Sequence, residues 1–294
     1  MRSLKDYAAL TDSALNDILK NCAGIPDLLR EAMAYSLLAG GKRLRPSMLL
    51  AAFEMLGGRA EDALIPACAV EMIHTYSLIH DDLPGMDDDT LRRGRPTNHV
   101  VFGVGQAILA GDGLLSLAFE LLLEDALAHP EELVNRVRAA REIAQGAGAC
   151  GMVAGQCLDL ACEQNKTGGE QELLYIHENK TARMFIHPLR AGAVLAGADD
   201  APIEALTAYG RAFGLMFQAA DDLLDVTGDP ATLGKSVGKD QAEGKLTAVS
   251  VYGAEQTQAR VDALLNAGVE ALAPFGEKAD FFRALIRQML GRAA

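Results

Sequence analysis

Apolar residues recur at intervals of three and four along almost the whole chain, the spacing that turns one face of an α-helix toward a core. From Leu4 to Leu29 the pattern breaks at Gly24 and Pro26, which predicts two helical pieces. Gly40-Gly41-Lys42-Arg43-Leu44-Arg45-Pro46 interrupts it again, and an apolar helix then runs through Leu56 to Gly57-Gly58. A basic loop therefore sits at a helix start. A long helix over Glu61 to Asp82 is stopped or distorted by Pro84-Gly85. Residues 104 to 128 read as a strongly buried helix and Pro130 to Leu160 as one or two more, with enough Ala and Gly over 144 to 155 for close helix packing. Asn165 to Gly169 reads as a loop, Glu170 to Ala198 as a helix kinked at Pro188, and Ile203 to Val226 as a long apolar helix. Thr227 to Gly244 is too polar and too rich in Gly, Lys and Asp for a core element, and helices resume near Leu246 and continue to the end. No segment of strand period and no linker stands out. The pattern predicts one all-α domain over residues 1–294.

Composition supports this reading and narrows the partners. Half of the residues are hydrophobic, tryptophan is absent and β-branched residues are sparse, all of which favours helices. A net charge of -13 argues against nonspecific binding to nucleic acid or an anionic membrane, although local cations or bound metal can reverse the sign at one site. The five cysteines are odd in number and form no CxxC pair, which predicts a reducing, cytoplasmic compartment. Residues 1 to 20 show no signal-peptide core, and the longest uncharged runs, 96 to 111 and 143 to 158, are too short to cross a bilayer. No stable membrane insertion is expected.

Candidate chemistry concentrates between His80 and Asn98, where the five carboxylates of Asp81, Asp82, Asp87, Asp88 and Asp89 precede Arg92, Arg93 and Arg95. His74, Ser77 and Asp81 share one helical stripe, whereas Asp87 would point away from it in an unbroken helix. A bulge at Pro84-Gly85 would return Asp87 toward Asp81. A second cluster, Asp221-Asp222-Leu223-Leu224-Asp225, forms with Gln218 a polar stripe on an apolar helix, where ionised carboxylates need compensation. One such cluster is ordinarily a solvated turn; two point to a bound group. Oxygen ligands without a His/Cys set select a hard cation, Mg²⁺ rather than Zn²⁺, and Mg²⁺ bridges carboxylates to phosphate oxygens. A calcium loop fails on spacing, since Leu91 falls where a ligand is required. Lys42, Arg43, Arg45, Arg92, Arg93 and Arg95 lie near the first cluster, and Lys180, Lys235 and Lys239 near the second. So many cations suggest two phosphorylated groups rather than one.

With these motifs in order along nearly the whole chain, the sequence resembles the trans-prenyl diphosphate synthases, most of all their farnesyl-forming bacterial members. Gly-Gly-Lys42-Arg43-Leu-Arg45-Pro is similar to the family's homoallylic diphosphate loop, and Asp81-Asp82-Leu-Pro-Gly-Met-Asp87 to its first aspartate-rich motif. Leu-Arg92-Arg93-Gly-Arg-Pro, Gly155-Gln156-Cys-Leu-Asp159-Leu, Lys180-Thr181, Phe217-Gln218-Ala-Ala-Asp221-Asp222-Leu-Leu-Asp225 and Gly-Lys235-Ser-Val-Gly-Lys239-Asp240 follow. The resemblance implies an all-α bundle of mostly antiparallel helices around a deep central cavity, of the isoprenoid synthase type, and a homodimer. It implies three Mg²⁺ on Asp81, Asp87 and Asp221, with Asp82 and Asp225 in support. Arg92, Lys180, Thr181, Gln218 and Lys235 would hold an allylic diphosphate; Lys42, Arg45, His74 and Arg93 would hold isopentenyl diphosphate. Asp81, Asp82, Asp87, Arg92, Lys180, Asp221 and Lys235 form the implied catalytic set. Condensation of the two substrates would give (2E,6E)-farnesyl diphosphate, with the segment 234 to 244 and the C-terminal region as lids. Tyr76, with Ser77 one turn below Asp81, would floor the product pocket. Alternatives are a geranylgeranyl diphosphate synthase, a class I terpene cyclase, which needs one diphosphate site only, and a non-catalytic binding subunit. Ala182-Arg183 and Ala248-Val249 depart from the family pattern, and Arg183 could alter one wall.

Overall fold

The structure is a computed structural model that describes residues 2–227 and 244–290. The chain divides into two compact helical units, Met1–Arg141 with Ala191–Gly197 and Glu142–Arg190 with Ala198–Ala294.

The first unit begins with α1 (Leu4–Asn21), α2 (Asp27–Leu37), α3 (Leu44–Met55), the 3-10 turn Ala60–Ala63 and α4 (Leu64–Asp81). A capping box starts α1: Ser3 Oγ accepts from the Asp6 amide, and the Asp6 carboxylate accepts from the Ser3 amide. α3 and α4 bury side chains nearly all round and form the centre of this unit, with α3 and α6 (Val104–Ala128) packed on α4. Fully buried side chains here include Tyr7, Met48, Leu49 and Met72, each stabilising by about 1.5–3 kcal/mol. Burial all round also means that any charge on these helices must carry its partner with it, a condition that Glu71 on α4 meets below.

After α4 a two-residue antiparallel ladder, β1 (Leu91–Arg92) with β2 (Arg95–Pro96), closes through Arg93 and Gly94, both at positive φ. The periodicity gave no sign of it, because two residues per strand are too few to alternate. α5 (Asn98–Phe102) follows. α6 corrects two expectations. One face packs on α4, but Ile108, Leu109, Leu123 and Leu127 on another are exposed, Leu127 by 75%, so it is not strongly buried throughout. It is also long and apolar enough, by length and composition, to cross a bilayer, a property the uncharged runs alone concealed.

α7 (Leu133–Ala147) crosses from the first unit into the second, which continues with α8 (Met152–Asn165), α9 (Glu170–Ile176), a π-helical segment His177–Ala182 and α10 (Arg183–Leu195). The irregularity expected at Pro188 falls instead at this π segment, while Pro188 sits inside α10. α11 (Asp200–Thr227), α12 (Ala248–Tyr252), α13 (Ala254–Ala271) and α14 (Asp280–Leu290) complete the unit. α11 packs against α13 and the π segment, and a chain of aromatic contacts joins Phe185, Phe213, Tyr209 and Phe282 at centroid separations of 4.9–5.9 Å.

Candidate active site

α4 delivers the first aspartate cluster. Its C-cap, Asp82, is buried and receives a fork from Arg92: Nε lies 2.8 and 3.0 Å from the two carboxylate oxygens, and one terminal nitrogen 2.7 Å from Oδ1. Burial pushes the Asp82 carboxyl up against the pull of Arg92. For Arg92, burial opposes the charged form and Asp82 outweighs it. A bidentate fork of this kind is among the stronger side-chain contacts. Beyond the cap the chain turns sharply, with the Met86 amide on Leu83 O at 2.8 Å and the Asp87 amide on Asp81 O at 2.8 Å. Pro84-Gly85 does return Asp87 to Asp81, at the level of the backbone. Asp81 and Asp87 are half-buried, while Asp88, at positive φ, is exposed.

Among the described residues no three His, Cys, Asp or Glu side chains form a ready-made cage. Mg²⁺ keeps several waters and takes one or two carboxylates with substrate phosphates. Two half-buried carboxylates joined by a backbone bond fit that requirement, and Asp82, held by Arg92, stands behind them.

The basic residues of the same unit form a corner of a different kind. Arg45, at the start of α3, donates to His74 Nε2 on α4 at 3.3 Å, and Arg93 donates to Gly40 O. Gly41 makes this possible: at φ 138° it lies where an added Cβ would stand 2.6 Å from an Arg93 nitrogen. Lys42 is exposed beside them. Burial, with Arg93 adding to it against Glu71, brings Arg45 down to about 10. Burial and the guanidinium groups of Arg45, Arg93, Arg92 and Arg43 hold His74 well below the usual histidine value. Three cationic or cation-capable groups, Arg45, His74 and Arg93, thus lie close together, a field that a polyanion would relieve.

Arg43 does not join them. In the left-handed region at φ 48°, its side chain turns inward with 1% exposure, donating to Glu71 at 2.6 Å, Asp12 at 2.7 Å and Leu37 O at 2.7 Å. Removing one partner of such a buried pair costs about 3–5 kcal/mol. Its inclusion among the anion-facing cations is corrected accordingly. One turn before Asp81, Tyr76 is buried edge-on to His80 at 5.6 Å, and Ser77 Oγ donates back to His74 O at 2.9 Å.

In the second unit the π segment sets the geometry. Gly155 on α8 lies against the Lys180 backbone so closely that a Cβ would come 2.7 Å from Lys180 Cα. Lys180 Nζ donates to Asp159 on α8 at 2.5 Å, while the next residue, Thr181, donates to Gln218 on α11 at 2.8 Å. Gln218 passes the chain on to Asp222 Oδ1 at 3.0 Å, and Asp222 Oδ2 accepts from the Ala248 amide at 2.7 Å with His177 Nε2 at 3.5 Å. Asp222 is therefore a buried joint between α11, α12 and the π segment, whereas Asp221 beside it is half-buried. Asp225 is buried, and its Oδ2 has no hydrogen-bond partner among the described residues, an orphaned acceptor that a cation would satisfy. Arg183 follows the π segment as its C-cap. Lys235, Lys239 and the segment 234 to 243 lie outside the described residues.

Reading the sequence missed two residues of this arrangement. Asp159 was visible as part of its motif but not as the counterion of Lys180. Asp222 was visible as an acid on the stripe but not as a joint, because the amide it holds is 26 residues away.

Comparison with known proteins shows the family of the chain. A farnesyl diphosphate synthase from Geobacillus stearothermophilus is 48% identical over 245 residues, covering 83% of this chain and 81% of that protein. A chloroplastic geranylgeranyl pyrophosphate synthase from Capsicum annuum is 47% identical over 234 residues, covering 79% of this chain; the match spans only 63% of the pepper protein's length. The crystal structure of an FPP/GFPP synthase from Zymomonas mobilis superposes with a TM-score of 0.85 at 35% identity, covering 97% of this chain and 98% of that one. The all-α architecture is thus that of the isoprenoid synthases. Since the model of the polyprenyl synthetase family matches residues 26–275, the chain belongs to that family.

Proposed function

We propose that the chain is a prenyltransferase that condenses isopentenyl diphosphate head-to-tail with dimethylallyl or geranyl diphosphate, giving (2E,6E)-farnesyl diphosphate and diphosphate. The observation that carries it is the corner of Arg45, His74 and Arg93, with Lys42 exposed in the same loop, which adds basic groups beyond the Arg92 that Asp82 holds in its fork. A cyclase that ionises one prenyl diphosphate has no use for a second anion site. We assign the corner to isopentenyl diphosphate, and Arg92, Lys180, Thr181, Gln218 and Lys235 to the allylic diphosphate. Mg²⁺ would be held by Asp81, Asp87 and Asp221, supported by Asp82 and Asp225; three ions stand as the expected number. When bound, it would neutralise charge on the allylic diphosphate as the C1–O bond breaks.

The chain's own groups do the rest. Arg92 and Lys180 are each pre-paired with an aspartate, so they can shift toward phosphate oxygens without first being buried alone. The corner orients isopentenyl diphosphate so that its double bond attacks C1 of the allylic cation, and the proton then leaves C2 for the released diphosphate. Tyr76, buried one turn and more before Asp81, would set the floor of the product pocket at fifteen carbons. The comparisons name farnesyl and geranylgeranyl synthases at nearly equal identity, so a twenty-carbon product is the second reading. Incubation with isopentenyl diphosphate, each allylic starter and Mg²⁺, followed by sizing of the dephosphorylated alcohols, tests both. C15 is expected. Mainly C20 would select the second reading, and no elongation at all would remove the proposal.

We further assign the two units to one catalytic domain, since the family match runs through both. The exposed apolar face of α6, with Val134 at 70% exposure on α7, supports a homodimer rather than a membrane anchor, since four acidic residues, Asp112, Glu120, Glu124 and Asp125, lie along the helix. All five cysteines are free, which supports a reducing cytoplasm.

A further inference from the structure

We infer that Arg43 is a positioning residue for the isopentenyl diphosphate corner, acting through Glu71 and never touching the substrate. The inference rests on the assignment of that corner made above. Two observations carry it.

The first is geometric. Arg43 is the N-cap of α3, lies between Lys42 and Arg45, and is held in the left-handed region, where a β-carbon is ordinarily disfavoured. Its three inward hydrogen bonds reach α1 through Asp12, the end of α2 through Leu37 O, and α4 through Glu71. Those bonds account for the strained turn. With Arg43 pinned inward, Lys42 is left exposed and Arg45 lies against His74, which sits on α4 one turn after Glu71. The residue in the middle of the loop is thus the fixed point about which its two outward cations are set.

The second is electrostatic. Glu71 is buried, and its charge reaches Arg45 and Arg93, opposing the lowering of proton affinity that burial imposes on each. A bare carboxylate there would oppose a diphosphate in the corner. Arg43 neutralises it at 2.6 Å. The pair therefore lets a basic corner be anchored from behind by an acid without losing its positive field.

The full-length protein with Mg²⁺ provides the test, with steady-state parameters measured for each substrate separately. Arg43→Gln leaves Glu71 uncompensated and is expected to raise KM for isopentenyl diphosphate about tenfold or more, with kcat and the allylic KM within roughly twofold of wild type. Adding Glu71→Gln removes the stranded charge, and the double variant is expected to recover most of that loss. A purely architectural Arg43 would instead depress kcat and both substrates' parameters together, so the confinement of the loss and of its rescue to the isopentenyl KM is what marks the positioning role. Should Arg43→Gln fail to accumulate as folded protein, Arg43→Lys carries the same comparison, since its ammonium cannot serve all three acceptors.

An unchanged isopentenyl KM in the single variant would overturn the inference. So would a parallel loss in both substrates and kcat, or a double variant as impaired as the single. Arg45→Gln, run alongside, separates the two levels. If it leaves the isopentenyl KM unchanged, the corner itself has been misassigned and both readings fall. If it raises that KM while Arg43→Gln does not, only the role given to Arg43 falls.

Discussion

The two sets of cations in this protein are kept in opposite electrostatic conditions. Lys180 and Arg92 each rest on a carboxylate, at 2.5 and 2.7 Å, so their charge is spoken for before any substrate arrives. Arg45, His74 and Arg93 lie close to one another, and burial first, then neighbouring guanidinium groups, lowers the proton affinity of each. A paired cation can change partners during a reaction with little net desolvation, which suits a group that must follow a leaving diphosphate. A crowded cation gains from any anion that enters, which suits a group that must hold a substrate still.

Substitutions can break this contrast. The largest effect is expected for Lys180→Ala, which removes the cation and strands Asp159; kcat/KM for the allylic substrate should fall about 100-fold in a steady-state assay. Asp159→Asn tests the pairing from the other side and should cost no more than about fivefold, because the cation survives. Next comes Arg45→Gln. Loss of a charge-assisted contact worth about 1.5–3 kcal/mol should raise KM for isopentenyl diphosphate about 10- to 100-fold, with kcat little changed. Leu127→Glu on α6 should lower the mass seen by light scattering to that of one chain, with a smaller fall in activity.

The smallest effect is in pH dependence, and its sign follows from His74. Its folded-state proton affinity lies well below the usual value of 6.5. As pH falls through 6.5 the unfolded chain takes up a proton that the folded one refuses, so stability declines toward acid and is level above. His74→Gln should flatten that acid-side decline in melting temperature. A decline of unchanged slope would assign it to other groups.

Much of this was legible in the chain because periodicity and punctuation are local. Gly24 and Pro26 do separate α1 from α2, and Pro84-Gly85 does fold Asp87 back to Asp81. What was not legible depends on partners distant in sequence. Arg43 and Arg45 are alike as letters, and only Glu71, Asp12 and Leu37 O, brought together by three helices, turn one of them inward. The outward stripe of α6 was hidden because apolar residues surround the helix, so its periodicity marks no single inner face. Asp222 became a joint through an amide on α12, which no spacing rule anticipates.

The π segment at His177–Ala182 has a consequence for how the chain tolerates insertions and deletions. Each residue advances a helix by about 100°, so removing one here would rotate everything downstream by more than a quarter turn. Lys180 and Thr181 now address α8 and α11 as neighbours in sequence, while His187 and Arg190 meet Glu142 at 2.9 and 2.7 Å further along. A one-residue deletion within the segment could keep the first pair or the second in phase, not both. An exposed loop would absorb the same change without notice; at this place the number of residues is itself part of the site.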